Sequence, residues 1–299
     1  MVAIGWIAAR SGAFDAAGTR GLSLFIFNFA IPVMIARTLA LVELPERIEW
    51  ALVLAYFGTA FLVFALGALL ARGLFSRPLD AQGIFGISAC FSNGFVMGTP
   101  IILGSFGEPA AVPFFLLLAF HSATLFTLTS IVVEAGRRRG VAWRALPRSV
   151  IRGLVANPIL GGIAVGLVLN HLALRPAGVV DAVARMLADA ALPCALFALG
   201  ANLARFRLSA SLREALALAL LKTIVHPALT LVVAQWLFAL SPISVRVAVT
   251  LAALPTGINA YLFAARYAVA VAEASTTIVL STLIAAVTLS VLLVTLSPG

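Results

Sequence analysis

Charge is what this 299-residue sequence has least of. Its 20 Lys and Arg and 11 Asp and Glu make up 10% of the chain, against about 25% in a soluble domain. The longest polar stretch is the loop around Arg137 to Arg152, so no soluble appendage is visible. Lysine occurs once, at Lys222, and cysteine twice, at Cys90 and Cys194 within apolar runs. Two cysteines so placed read as small packing residues, neither a disulfide nor a metal site. There is no Gly-rich phosphate loop, no His/Cys metal spacing and no carboxylate pair suited to catalysis. An enzyme is not expected, and neither is a cofactor. The net charge of +9 is carried by arginines in short loops, which fits control of membrane topology and not a nucleic-acid partner.

What the sequence has is apolar length. Hydrophobic residues make up 63%, in recurring runs of about 20, as membrane-spanning helices require. The fold class is an all-α polytopic membrane protein, one transmembrane domain over 1–299, with the lipid bilayer as its surroundings. The predicted spans are Gly21–Val42, Trp50–Ala71, Gln82–Ser105, Ala111–Glu134, Ser149–Leu172, Val183–Leu203, Leu212–Leu240, Ile243–Tyr267 and Glu273–Leu296. A short apolar stretch, Val2–Ala9, precedes them. It makes a poor signal peptide and is too short to span; counted as the first span, it brings the total to ten. Arginines crowd the loops after odd-numbered spans, which places those loops in the cytoplasm.

Internal repetition comes next. "FAIPVMIARTLA" in the second span matches "AALPCALFALGA" in the seventh, with Pro32 and Pro193 161 residues apart. "SNGFVMG" in the fourth matches "PTGINAY" in the ninth, with Gly94 and Gly257 163 apart. Five spans per half is an odd number, so the halves (1–140 and 141–299) face opposite ways: an inverted-topology repeat. The same offset sets Val2–Ala9 against only the end of the sixth span. The first span is therefore expected to be truncated, with about 10–20 further apolar residues upstream to complete ~30 Å.

The two matched segments break their own helices. Asn93, Gly94, Gly98, Thr99 and Pro100 interrupt the fourth span; Pro255, Thr256, Gly257, Asn259 and Tyr261 interrupt the ninth. Breaks at corresponding places in two halves point to a substrate site. Freed N–H groups at a half-helix start favour an anion, and Asn and Thr add directional hydrogen bonds. The plainer reading is a pair of kinked helices whose polar residues join neighbours.

Six segments in order, "FAIPVMIARTLA", "SNGFVMGTPI", "ANPILGGIAVGLVL", "LPCALFALGANLA", "LLKTIVHPALT" and "ALPTGINAYLFA", resemble the auxin efflux carrier family, which holds plant auxin carriers and bacterial malonate-type carriers. The resemblance implies two inverted five-helix repeats in which the broken fourth and ninth spans cross. It implies a small organic anion bound at the crossing, and one bundle sliding against a scaffold of spans one, two, six and seven. The clipped first span departs from that pattern.

Lys222 lies near the bilayer centre, where an unpaired cation costs about 2.5–3.5 kcal/mol on insertion scales. It either neutralises an anionic substrate or stands in for a coupling cation near the crossing, or else it caps carbonyls of a broken helix or snorkels. His226 follows by four residues, and His121 sits mid-span; each is either a proton carrier or a packing residue. Asp189, spaced with Asp181 and Arg185 by fours, is expected to pair on one helix face, with proton coupling as the other role. The reading is a secondary transporter of mono- or dicarboxylates in a bacterial cytoplasmic (inner) membrane, coupled to protons or sodium, with a homodimer through the scaffold helices. The alternatives are a sodium-coupled symporter of the bile-acid type and a membrane anion sensor.

Overall fold

A computed structural model describes residues 1–44, 48–137, 158–204 and 212–296. In chain order its helices are α1 (Val2–Arg10), α2 (Ala16–Leu41), α3 (Trp50–Gly73), α4 (Leu79–Cys90), α5 (Gly94–Phe106), α6 (Ala111–Gly136), α7 (Pro158–His171), α8 (Gly178–Leu203), α9 (Leu212–Leu237), α10 (Pro242–Ala253), α11 (Ile258–Tyr267) and α12 (Val271–Leu296). Six helical runs are long and apolar enough to cross a membrane: α2, α3, Glu108–Gly136, Gly178–Asn202, α9 and α12. The chain is thus a multi-pass membrane protein. The expected fourth and ninth spans are absent from that set because each is divided into shorter pieces. The arginine-rich loop and the start of the sixth span, through residue 157, lie outside the described residues.

Proline shapes three of these helices in one way. A π turn covers Ile26–Ala30, Gly94–Gly98 and Leu221–Val225, and in each case a proline follows two residues later: Pro32, Pro100 and Pro227. Proline has no N–H and its ring crowds the carbonyl four residues back. A wider turn moves that carbonyl aside and keeps the helix continuous. The backbone N–H of His226 accordingly bonds the Leu221 carbonyl, five residues back. Pro193 sits inside α8 with helix on either side.

The chain forms two compact units. One comprises Met1–Ile48, Phe95–Phe115 and Ser149–Phe206; the other comprises Glu49–Gly94, Leu116–Arg148 and Arg207–Gly299. In the first unit α2 and α7 meet through glycine. A Cβ on Gly162 would fall 2.5 Å from the Pro32 carbonyl oxygen, and one on Gly166 2.7 Å from that of Ala36. This is the small-xxx-small contact by which membrane helices gain dispersion energy without a hydrophobic drive. The Asn170 carboxamide donates to the carbonyls of Leu39 (2.8 Å) and Val42 (2.7 Å), closing the end of α2. Asp181 accepts from Arg185 as its spacing predicts, but its stronger partner is Arg37 of α2 at 2.7 Å. Asp189 makes no ion pair among the described residues, which corrects the expected three-residue row on one helix face.

In the second unit, Phe64, Phe85, Ile87, Phe91, Leu125, Leu218 and Ala260 build one core. Glycine again permits close approach: a Cβ on Gly67 would meet that of Ala89 at 2.9 Å. Arg77, in the α3–α4 turn, donates to Glu214 (2.8 Å) and Glu273 (2.6 Å). The bond to Glu214 leads in holding its guanidinium above the usual arginine value. Large apolar side chains face outward, among them Leu54, Trp236, Leu237 and Val287, as a lipid-facing surface requires.

Candidate functional site

Within the second unit, α4 stops at Cys90 and α10 at Ala253, and the extended residues that follow lie antiparallel, with Ser92 opposite Thr256. The Asn93 N–H donates to the Pro255 carbonyl at 2.9 Å, and the Gly257 N–H to the Phe91 carbonyl at 3.0 Å. Two chain segments with unsatisfied backbones thereby satisfy part of each other, as buried polar groups in lipid must. Glycine makes the approach close. A Cβ on Gly257 would reach the Phe91 ring at 2.8 Å and the Ser92 carbonyl oxygen at 3.1 Å. One on Gly94 would reach a Leu118 methyl at 2.7 Å.

Among the helical hydrogen bonds that each break frees, one is replaced at both of its ends. An unbroken α4 would join the Ser92 N–H to the Ser88 carbonyl. Instead the Ser92 N–H donates to His121 Nε2 at 3.5 Å, and the Ser88 carbonyl accepts from the Thr256 hydroxyl at 2.8 Å. An unbroken α10 would join the Thr256 N–H to the Ala252 carbonyl. Instead the Thr256 N–H donates to Ser281 Oγ at 3.1 Å, and the Ala252 carbonyl accepts from the Lys222 ammonium. Lys222 is fully buried, so the contact meets the capping expectation stated for it from sequence.

Two side chains at the crossing keep their hydrogen-bonding capacity. Asn93 and Asn259 are half-buried, and among the described residues neither carboxamide has a hydrogen-bond partner. α11 begins after Gly257, which supplies no capping side chain to its first N–H groups. Tyr261 is half-buried one turn further along and does make contacts of its own. Thr256, in contrast, has its N–H and its hydroxyl both engaged.

The histidines separate in role. His121 accepts from Ser92 and lies 4.5 Å from the Phe91 ring. His226 is fully buried, and neither ring nitrogen has a partner among the described residues. Both flank Tyr56, with ring centroids at 5.9 and 5.7 Å, and the Tyr56 hydroxyl lies 3.3 Å from Ser92 Oγ. Sequence reading missed Tyr56 and Ser281. Ser281 follows His121 by 160 residues, close to the repeat offset, and carrying that offset onto single polar residues would have found it.

The remaining sequence-predicted residues belong to the first unit. Thr99 and Pro100 line a cleft there with Asp189, while Gly98 ends the π turn of α5 and is buried. No cluster of His, Cys, Asp and Glu fit to hold a metal occurs among the described residues.

The model of a family described as membrane transport protein matches residues 1–293. The chain belongs to that family, the auxin efflux carrier family. It is 30% identical over 303 residues to a protein of Rhizobium meliloti (strain 1021) named "Putative malonate transporter", covering 100% of this chain and 93% of that one. It is 25% identical over 183 residues to the "Lysosomal cholesterol signaling protein" of Mus musculus, over 58% of this chain and 21% of that far longer protein. The family is described by transport, and the relative that covers the whole of this chain carries a malonate-transporter name.

Proposed function

We propose that the protein is a secondary transporter of small organic anions, with malonate-like mono- and dicarboxylates as the substrate class, acting in a bacterial cytoplasmic membrane. The observation that carries the reading is the pair of unpartnered carboxamides, Asn93 and Asn259, on either side of two antiparallel helix breaks. Amide donors and open half-helix N–H groups suit a carboxylate. The buried Lys222, one contact away at Ala252, contributes positive charge to that surrounding. Gly94, Pro255, Thr256 and Gly257 shape the crossing, and Tyr261 borders it.

The breaks fall at corresponding places in the two halves, and in our reading they are the crossing fourth and ninth spans of an inverted repeat. The second unit, which holds the crossing, would be the moving body of an elevator-type cycle. The first, built from the N-terminal, sixth and seventh spans together with Phe95–Phe115, would be the scaffold and the dimer surface. His226 is the candidate for a transported proton, since its ring nitrogens are otherwise unbound. No cofactor enters this scheme. The likeness to a signaling protein keeps a sensor in view; flux would exclude it.

The test is uptake of radiolabelled malonate into proteoliposomes containing this chain alone. Asn93→Ala and Asn259→Ala should each lower uptake about tenfold, the effect of leaving a bound polar group unsatisfied by ~1–3 kcal/mol, with insertion unchanged. Wild-type uptake in both variants, for every anion the parent carries, would sink the crossing as the site.

A further inference from the structure

The first unit encloses a cleft of about 360 Å³, lined by Arg37 and Thr38 of α2, Thr99 and Pro100 of α5, and Asp189 of α8. Its polar groups differ in what holds them. Arg37 grips Asp181 at two points, Nε to Oδ1 at 2.7 Å and Nη2 to Oδ2 at 3.3 Å. Asp181 Oδ2 also accepts from Arg185 Nη2 at 2.9 Å. The Thr99 hydroxyl is buried without a partner among the described residues. Asp189 brings a further negative charge to the cleft.

Two parallel N–H bonds to a carboxylate are how arginine binds any carboxylate, a side chain's or a ligand's. Asp181 therefore occupies the position on Arg37 that a free carboxylate would take. Losing one partner of an ion pair is costly mainly because the other charge is left alone. Here neither charge would be: an entering anion pairs with Arg37, and Asp181 keeps Arg185. Arg185 is 60% exposed at its side chain and free to follow. Thr99, whose buried hydroxyl has no partner among the described residues, lines the same cleft. Because Asp189 repels an anion, Arg37 has to supply the attraction.

We infer that this cleft is a second carboxylate-binding site, with Arg37 as its anchor, Asp181 as an internal competitor and Arg185 holding Asp181 when it is displaced. The inference rests on the anion-carrier reading, but not on the crossing: it adds a binding step on the first unit.

The experiment is isothermal titration of the purified full chain with malonate and with acetate, alongside thermal unfolding. Arg37→Gln should weaken binding about tenfold, and Asp181→Asn should tighten it about three- to tenfold, the range expected for one charge-assisted bond. In the Arg37→Gln background the Asp181→Asn gain should vanish. A merely structural ion pair gives a different pattern, with both single variants less stable and affinity unchanged. An Asp181→Asn protein with unchanged or weaker binding overturns the inference, as does a gain that survives Arg37→Gln. If Asp181→Asn does not fold, Arg185→Gln decides. It leaves Asp181 to Arg37 alone and should weaken binding about two- to threefold by the same competition; equal or tighter binding overturns the proposal. A wild-type protein that binds neither probe overturns the carrier reading too, whereas binding that ignores Asp181 overturns the cleft alone.

Discussion

The two helix breaks of the second unit are built alike and closed differently. At the first, the freed carbonyl of Ser88 takes a neutral hydroxyl, that of Thr256, and the freed N–H of Ser92 takes an imidazole. At the second, the freed carbonyl of Ala252 takes an ammonium, that of Lys222, and the freed N–H of Thr256 takes a neutral hydroxyl, that of Ser281. Ser88 and Ala252 are 164 residues apart, as are Ser92 and Thr256. The backbone problem is therefore identical in the two halves, and the ionisable group sits on opposite poles of it. A cation beside a carbonyl strengthens its bond; an imidazole accepting from an N–H can do so only while neutral. The second break is the firmly closed one, and the first is the weaker.

The largest effect should come from removing the firm closure. Lys222→Met keeps the length of the side chain but leaves the Ala252 carbonyl with no donor. Hydrogen bonds to charged groups contribute ~1.5–3 kcal/mol, so malonate uptake should fall about ten- to a hundredfold. Lys222→Arg should not restore it, because a planar guanidinium differs in shape and hydration from a compact ammonium. Normal uptake by the methionine variant at all substrate concentrations would show that neither the cap nor the charge matters, and the comparison would lose its second pole.

Next come the glycines that let the segments approach. Gly257→Ala drives a methyl into the Phe91 ring and toward the Ser92 backbone oxygen, neither of which can retreat far. Gly94→Ala meets the tip of Leu118, which can change rotamer. Overpacking of this kind costs ~1–3 kcal/mol. Gly257→Ala should sit at the upper end and Gly94→Ala at or below the lower. Detergent-solubilised melting temperatures would check the order, and a larger loss for Gly94→Ala would reverse the assignment of the rigid side.

Sequence made the breaks legible and left their closure hidden. "SNGFVMGTP" and "ALPTGINAY" announce themselves because Gly, Pro and Asn in an apolar run have no reason to be there unless something compensates. The compensation comes from the hydroxyls of Thr256 and Ser281, the His121 ring and Lys222, polar groups that carry no mark in sequence of which break they close. Only tertiary structure tells that Ser281 faces Thr256. Lys222 draws notice by being the single lysine in the chain, and a cap on a broken helix is one of several readings open to sequence alone. The row of Asp181, Arg185 and Asp189 misled for a related reason. Helical spacing fixes which residues share a face, but not that Arg37 from another helix joins Arg185 on Asp181 while Asp189 makes no ion pair among the described residues. Thr99 and Pro100 fall in the first unit and Asn93 in the second, a division that the helix-breaking residues of this stretch do not reveal.

A smaller effect is expected where a neutral group closes the break. Thr256→Val preserves the shape and removes the hydroxyl that caps Ser88. The loss should be ~1–2 kcal/mol, the cost of one buried acceptor left unpaired. Urea unfolding at constant m-value would read it, and an equal loss for Lys222→Met in the same unfolding measurement would mean that charge adds nothing to the second closure.

The smallest effect belongs to His121. Its bond from Ser92 is long at 3.5 Å, near the limit at which such a contact counts. His121→Gln retains an acceptor in roughly the same place and should change malonate uptake by less than about twofold, within the ~0.5 kcal/mol of substitutions that break no named interaction. The pH profile of uptake should also keep its shape, because His121 in this role is an acceptor that stays neutral. His226→Gln should flatten that profile, since its two unbound nitrogens are what a transported proton would use. The two variants thus divide the histidines that sequence could not tell apart. If His121→Gln flattens the profile and His226→Gln leaves it intact, the weaker closure is itself the coupling device, and the first break would open each time its imidazole takes a proton.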